Sequence, residues 1–313
     1  SHPGSMPAGT GKGAVMPVVK IDADRAEPGE LAQLARALPG HAPLIVMIHG
    51  YRYSPSVPHC DPHRHILSLD PDPSQRRVLS WPRALGFGGG DPDEGLAVAL
   101  GWEARGMLGQ AYARAGQVGR GVGALVSDLA DRAGRPVALI GHSLGARVAL
   151  QALRHADQGS IGRVVLLAGA EFRDTAAAAL ETPAGRRAEV LNITSRENDL
   201  FDFAMELWLD GGRRQALGLG LDQPASNWLD VQIDDRDTLA ALDRLGFPAE
   251  RPAQRLSHWS PYLRHGLFDF YRTAMAQPWA LPLSLLRARL PGRAQPRWSR
   301  LLAAPSQLGG VKA

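Results

Sequence analysis

Ser143 stands in Gly141-His142-Ser143-Leu144-Gly145, with an apolar run before it (Val137–Ile140) and a helix-forming run after it (Ala146–Leu153). A serine hydroxyl is a weak nucleophile at neutral pH. It needs a base to take its proton, a group to orient that base, and donors for the oxyanion formed on attack. Strand, tight turn and helix, in that order, present a serine on a sharp exposed turn, and the flanking glycines let the backbone bend and pack closely. The rival reading is a phosphate-binding turn, but no lysine and no G-x-G-x-x-G pattern accompanies these glycines. The chemistry implied is attack by Ser143 on an acyl carbonyl.

The partners of such a serine lie at other strand ends, in the chain order nucleophile, acid, histidine. A strand ending near Thr194 is followed by Ser195-Arg-Glu-Asn-Asp199, so Asp199 is the expected acid. Asp202 is its nearest rival and Glu171 the third choice, while Asp199 could also simply cap the helix that begins at Leu200. Only His258 and His265 follow Asp199. His258, in Leu256-Ser-His-Trp-Ser-Pro-Tyr262, sits in a polar loop ahead of a closing helix and is the expected base; His265 reads as surface decoration. The backbone N–H groups of Leu144 and of Tyr51, in His49-Gly50-Tyr51, are the expected oxyanion donors, and His49 itself reads as structural.

These residues need a frame. Val15–Ile21 reads as an edge strand, Pro28–Leu38 as a helix, and Leu44–His49 as a strand covered on both faces. A polar insertion at 51–75 precedes a candidate strand at Arg77–Trp81, a mobile glycine loop (Gly86–Asp91), and a long helical region reaching Ala133. Within that region Val118, Val122, Leu125, Val126 and Leu129 recur at helical spacing. Further strands are expected at Val137–Ile140, Arg163–Ala168, Ala188–Thr194 and Trp228–Ile233, with helices at Thr175–Leu180 and Gly266–Ala276. Alternating strands and helices predict an α/β architecture, a mostly parallel central sheet with helices on both faces. One domain is expected over 6–277, followed by a basic Pro/Arg-rich extension at 278–313; residues 1–5 resemble an expression-vector remnant.

Composition narrows the class. The 313 residues carry a formal charge of +4. The extension alone holds Arg287, Arg289, Arg293, Arg297, Arg300 and Lys312 and no acid, so the body is near −2 and no nucleic-acid partner is expected. Cys60 is the single cysteine, which rules out an intrachain disulfide. No run of about 18 apolar residues exists, and a cytoplasmic location is the expectation. His59, Cys60, His63 and His65 crowd one stretch of the insertion, but a short proline-containing loop seldom converges three or four metal ligands, so a polar lid is expected and no metal. Asp91-Pro-Asp-Glu94 lacks calcium-loop spacing. The extension mixes Leu, Trp and Arg and could touch a membrane surface, pack on the body or form a partly disordered arm; Pro282, Pro291 and Pro296 interrupt any long amphipathic helix, which disfavours the membrane. Trp102, Met205, Leu207, Trp208 and Trp228 are weighed as an acyl pocket and favoured as core.

His49-Gly50-Tyr51, Gly141-His-Ser143-Leu-Gly145, Asp199 and His258 together resemble the α/β-hydrolase superfamily of serine esterases and lipases. Trp81-Pro82 and the His-Gly-Tyr opening are similar to a little-characterised bacterial branch. The resemblance spans roughly Leu44 to Ala276. It implies an α/β-hydrolase fold and an acyl-enzyme mechanism on a small-molecule acyl substrate, with no cofactor. A carboxylic-ester hydrolase is the leading expectation. Behind it stand a thioesterase or acyltransferase using the same triad, and a non-catalytic scaffold of the same fold. Oligomeric state is not legible. The chain departs from the pattern in the long stretch between Gly50 and Ser143 and in residues 234–257 before His258.

Overall fold

A strand with apolar side chains pointing both ways is stable only when both faces are covered. Leu44-Ile-Val-Met-Ile48 is such a sequence, and in the computed structural model it forms β2 (Leu44–Ile48), buried at every residue. The structure describes residues 18–24, 28–91 and 93–302; residues 1–5, the first part of the Val15–Ile21 run and Lys312 lie outside these. β3 (Leu96–Gly101) and β4 (Val137–His142) are likewise buried throughout. β5 (Ile161–Leu167) and β6 (Glu189–Thr194) flank them, and the edges are β1 (Val18–Asp22) and β7 (Trp228–Gln232), both partly exposed. Among the described residues the sheet has seven strands in the order β1-β3-β2-β4-β5-β6-β7, and every neighbouring pair is parallel.

Alternation along β2 divides the core in two. Leu44, Val46 and Ile48 pack with α1 (Pro28–Ala37), α3 (Leu108–Ala133), α4 (Leu144–His155) and α5 (Arg173–Leu180). Ile45 and Met47 face α2 (Trp81–Ala84), α7 (Arg236–Arg244), α8 (Ser260–Leu263), α9 (Leu267–Ala276) and α10 (Leu283–Arg289). Helices therefore cover both faces. α3 packs tightly on α4: a Cβ at Gly119 would stand 2.4 Å from Gln151 Cβ, so glycine there permits the approach. α6 (Asp199–Asp210) and α11 (Ser299–Leu302) complete the helices named here.

The connection after β2 runs to one side of that strand, to β3, and the connection after β4 runs to the other side, to β5. Loops that diverge in this way leave a crevice at the carboxyl ends of two adjacent parallel strands, where open α/β sheets bind ligands. Ile48 pairs with Gly141, so β2 and β4 end together, with His49-Gly50 opposite His142-Ser143.

Three expectations change, and one open alternative closes. Arg77–Trp81 is not a strand: Trp81 opens α2, with Ser80 Oγ accepting from Arg83 N as its N-cap. The helical region before Ala133 contains β3, because Leu-Ala-Val-Ala-Leu is apolar throughout and carries no period to separate strand from helix. The 51–75 insertion is no free flap. Ile66 and Leu67 are fully buried in the core beneath α2, and Ile66 O accepts from Trp81 N at 2.9 Å. The extension, through Leu302, packs on the body with Leu281, Leu283, Leu286 and Leu290 buried in the core. Among the described residues no helix is long and apolar enough to cross a membrane.

Candidate active site

Ser143 occupies the turn between β4 and α4 at φ 55°, ψ −121°. That conformation is rare for a residue with a Cβ and costs about 1–3 kcal/mol, so its surroundings must hold it. Three backbone hydrogen bonds do so: Ser143 N donates to Leu167 O at 3.0 Å, and Ser143 O accepts from Ala146 N at 3.0 Å and Ala170 N at 2.9 Å. Space is set by glycine. A Cβ on Gly145 would lie 2.3 Å from Ile48 O, and a Cβ on Gly50 would lie 2.7 Å from both Ser143 Cβ and His142 O. The turn bearing Gly50 and Tyr51 is thus pressed against the serine, where an oxyanion donor is needed. The Tyr51 hydroxyl donates to Gly106 O at 2.6 Å, tying this turn to the loop before α3.

His49 is structural, as its place in the sequence implies. Its Nε2 accepts from Trp102 N at 3.0 Å, its Nδ1 donates to Gly50 O at 3.0 Å, and its ring stacks on Trp102. Burial lowers its pKa to about 3, so the ring is neutral at physiological pH.

His258 lies against His142, the residue beside the serine, and among the described residues no hydrogen bond joins it to Ser143. His142 Nε2 donates to His258 O at 2.9 Å, and the two rings lie 4.6 Å apart. Phe201 stacks on the other side of His258 at 4.9 Å. The loop is pinned on both flanks of His258: Ser257 N donates to Glu197 O, and Ser257 Oγ accepts from Trp259 N and Ser260 N. Burial pushes the His258 pKa well below its ordinary value, with His142 acting in the same direction, and pushes that of His142 down to about 4. A neutral imidazole with one nitrogen held can accept a proton at the other, and burial weakens it as a base.

The group holding it is Asn198, not Asp199. His258 Nδ1 meets Asn198 Oδ1 at 2.6 Å. Asp199 is fully buried but turned elsewhere. One oxygen accepts from Trp298 N at 2.6 Å, and the other faces Arg196 at 3.1 Å. Burial raises the Asp199 pKa, with Arg196 opposing. The reason is phase. A short turn at Arg196–Asn198, capped by Ser195 Oγ accepting from Glu197 N, runs directly into α6. One residue along a helix rotates a side chain by about 100°, so Asn198 and Asp199 diverge. Four residues return to the same face, and Asp202 Oδ1 accepts from Asn198 Nδ2 at 2.9 Å. Glu171 is taken up by Tyr112, Arg147 and Phe172 N, and His265 is exposed. Sequence reasoning missed Asn198 because it sought a carboxylate; the Asn-x-x-x-Asp spacing at 198 and 202 was the available signal.

The histidines of the insertion do not converge. His63 meets Asp22 at 3.0 Å, while His65 meets the Tyr53 hydroxyl at 2.6 Å and Arg76 O. Among the described residues no group of three or more potential ligands could hold a metal. Trp102, Met205 and Trp228 are buried as core, whereas Leu207 and Trp208, also expected in the core, are exposed on α6. Two clefts, of about 390 and 350 Å³, are lined around Asp234–Asp237 with Arg251 and Arg300, and around Asp24 with Arg114; neither is lined by Ser143 or His258. No protein-family model matches this chain, and no curated protein matches it.

Proposed function

We propose that the chain is a serine hydrolase of the α/β-hydrolase fold that cleaves a carboxylic ester. The observation that carries this reading is the Ser143 turn itself. A serine held at positive φ between β4 and α4 has a glycine turn packed on its Cβ, and its own neighbour His142 holds the backbone of the loop that carries His258. Strain of this kind persists where the surroundings over-determine it, and it clusters at reacting groups.

The chemistry runs in two halves. Ser143 Oγ attacks the acyl carbon while its proton passes to His258 Nε2. The oxyanion sits against the N–H groups of Tyr51 and Leu144. The ester C–O bond breaks, and His258 returns the proton to the departing alkoxide. Water then attacks the acyl-enzyme, giving its proton to His258, and the released serine oxygen recovers it. Throughout, Nδ1–H of His258 stays with Asn198 Oδ1, which leaves Nε2 free to accept.

One observation favours the rival reading of a non-catalytic scaffold: the group touching His258 is a neutral amide, which stabilises an imidazolium less than a carboxylate does. Turnover separates the two. A panel of acyl esters and thioesters of graded length should be hydrolysed by the wild type, with esters preferred. Ser143→Ala should lose activity by about 10⁴-fold or more at an unchanged melting temperature. A wild type inert to every member would favour the scaffold.

A further inference from the structure

Two carboxylates near the base, Asp199 and Asp202, are buried, yet neither touches it. Asp202 reaches it at one remove. Its Oδ1 accepts from Asn198 Nδ2 at 2.9 Å, and Asn198 Oδ1 meets His258 Nδ1 at 2.6 Å. Its Oδ2 is buried with no hydrogen-bond partner among the described residues, and a Cβ on Gly218 would stand 2.0 Å from that oxygen, so the carboxyl group is closely confined. An unpaired buried carboxylate oxygen is costly, and salt bridging to Arg297 goes to Glu206 instead.

The amide between them has two ends of opposite character. An ionised Asp202 only accepts, so it binds the NH₂ end of Asn198 and turns the carbonyl end toward His258. The carbonyl accepts from Nδ1–H, and Nε2 is left without a proton. A protonated Asp202 can donate instead, which turns the NH₂ end toward His258. Nδ1 must then accept, the proton moves to Nε2, and the ring cannot take a proton from serine.

Resting on the assignment of Ser143 and His258 above, we infer that Asp202 is a positioning residue. Its ionised carboxylate, acting through the Asn198 amide, selects the His258 tautomer that can serve as base. The groups facing Asp202 are Arg196 from the preceding turn, Asp199 and Glu206 from its own helix, and Arg297 from the extension, with His258 beyond Asn198. Burial raises the Asp202 pKa to about 7, with Arg196 and Arg297 opposing and Asp199 and Glu206 reinforcing. Since burial lowers the His258 pKa well below its ordinary value, the acid limb of kcat belongs to Asp202 rather than to the base.

The test is the pH dependence of kcat for wild type, Asp202→Asn and the swap Asn198→Asp/Asp202→Asn, with melting temperatures alongside. Asp202→Asn still offers Asn198 an acceptor but no longer fixes the amide's direction. It should lower kcat about 10- to 100-fold with KM little changed, and should lose the limb near pH 7. The swap places a carboxylate directly on Nδ1 and should recover most of the loss. A wild-type profile with no ionisation near pH 7 overturns the inference, even if Asp202→Asn fails to fold. So does a folded Asp202→Asn with unaltered kcat, or a folded swap no better than the single variant. Each is read on a wild type that turns over and is silenced by Ser143→Ala; loss of that premise would instead refute the hydrolase reading.

Discussion

Asn198 and Asp199 are neighbours in sequence with different work. Asn198 orients the histidine, while Asp199 accepts from Trp298 N and anchors the extension. Gly50 shows how little room the site leaves. A methyl group there would overlap Ser143 Cβ and His142 O, each 2.7 Å away, so the turn bearing Tyr51 must retreat. Displacements of about 1 Å at a reacting centre can cost on the order of 10²-fold in rate. Gly50→Ala should therefore lower kcat by about that factor with the fold intact, and steady-state kinetics beside a circular dichroism melt would check it. Full activity in this variant would show that the turn does not hold the oxyanion. The tight turn at Ser143 was legible because it demands glycines within two residues, and His258 stood out because only it and His265 follow Asp199. Asn198 was not, since which of two adjacent residues faces the ring depends on where the 196–198 turn begins.

Among the elements, strands with polar flanks were the readable ones. β2, β4, β5, β6 and β7 fall where apolar runs end in glycine, proline or charge. β3 escaped because its alanine-rich run adjoins a long helix, and Arg77–Trp81 misled because its apolar residues bury a turn at Arg77 and the start of α2 at Trp81 rather than a strand. The extension is read correctly only from contacts. Arg287 donates to three carbonyls at Ala225, Ser226 and Trp228, Arg300 to Pro252 and Gln254, and Arg297 grips Glu206 in two places. Three of its arginines are thus spent on the body. Leu286 of α10 is fully buried against the same face of the sheet as α9. Leu286→Ala should cost about 2–5 kcal/mol of unfolding free energy in urea. A cost below about 1 kcal/mol would show the extension to be a loosely attached arm.

Across the whole molecule, the all-parallel sheet and its reversal of direction between β2 and β4 bring together residues separated by more than two hundred positions in sequence, from Gly50 to His258. The same packing buries histidines neutral, with a consequence for stability. His142 is held at about 4 in the folded chain, whereas its ordinary value is 6.5. Between those values the unfolded chain binds a proton that the native chain refuses, so stability is lost as pH falls from about 6.5 to 4, by about 3 kcal/mol for this group. His142→Gln keeps a donor for His258 O and removes the titration. The stability difference between the two proteins should swing toward the variant by that amount between pH 7 and pH 4, measured by urea unfolding; a constant difference would mean that His142 is not buried neutral. The central claim, that Ser143 is an activated nucleophile, is tested most directly by treating the protein with a fluorophosphonate and measuring its mass intact and after digestion. The account predicts a single stoichiometric adduct on the peptide carrying Ser143, absent in Ser143→Ala and slowed in His258→Ala. No adduct, or one that persists in Ser143→Ala, would contradict it.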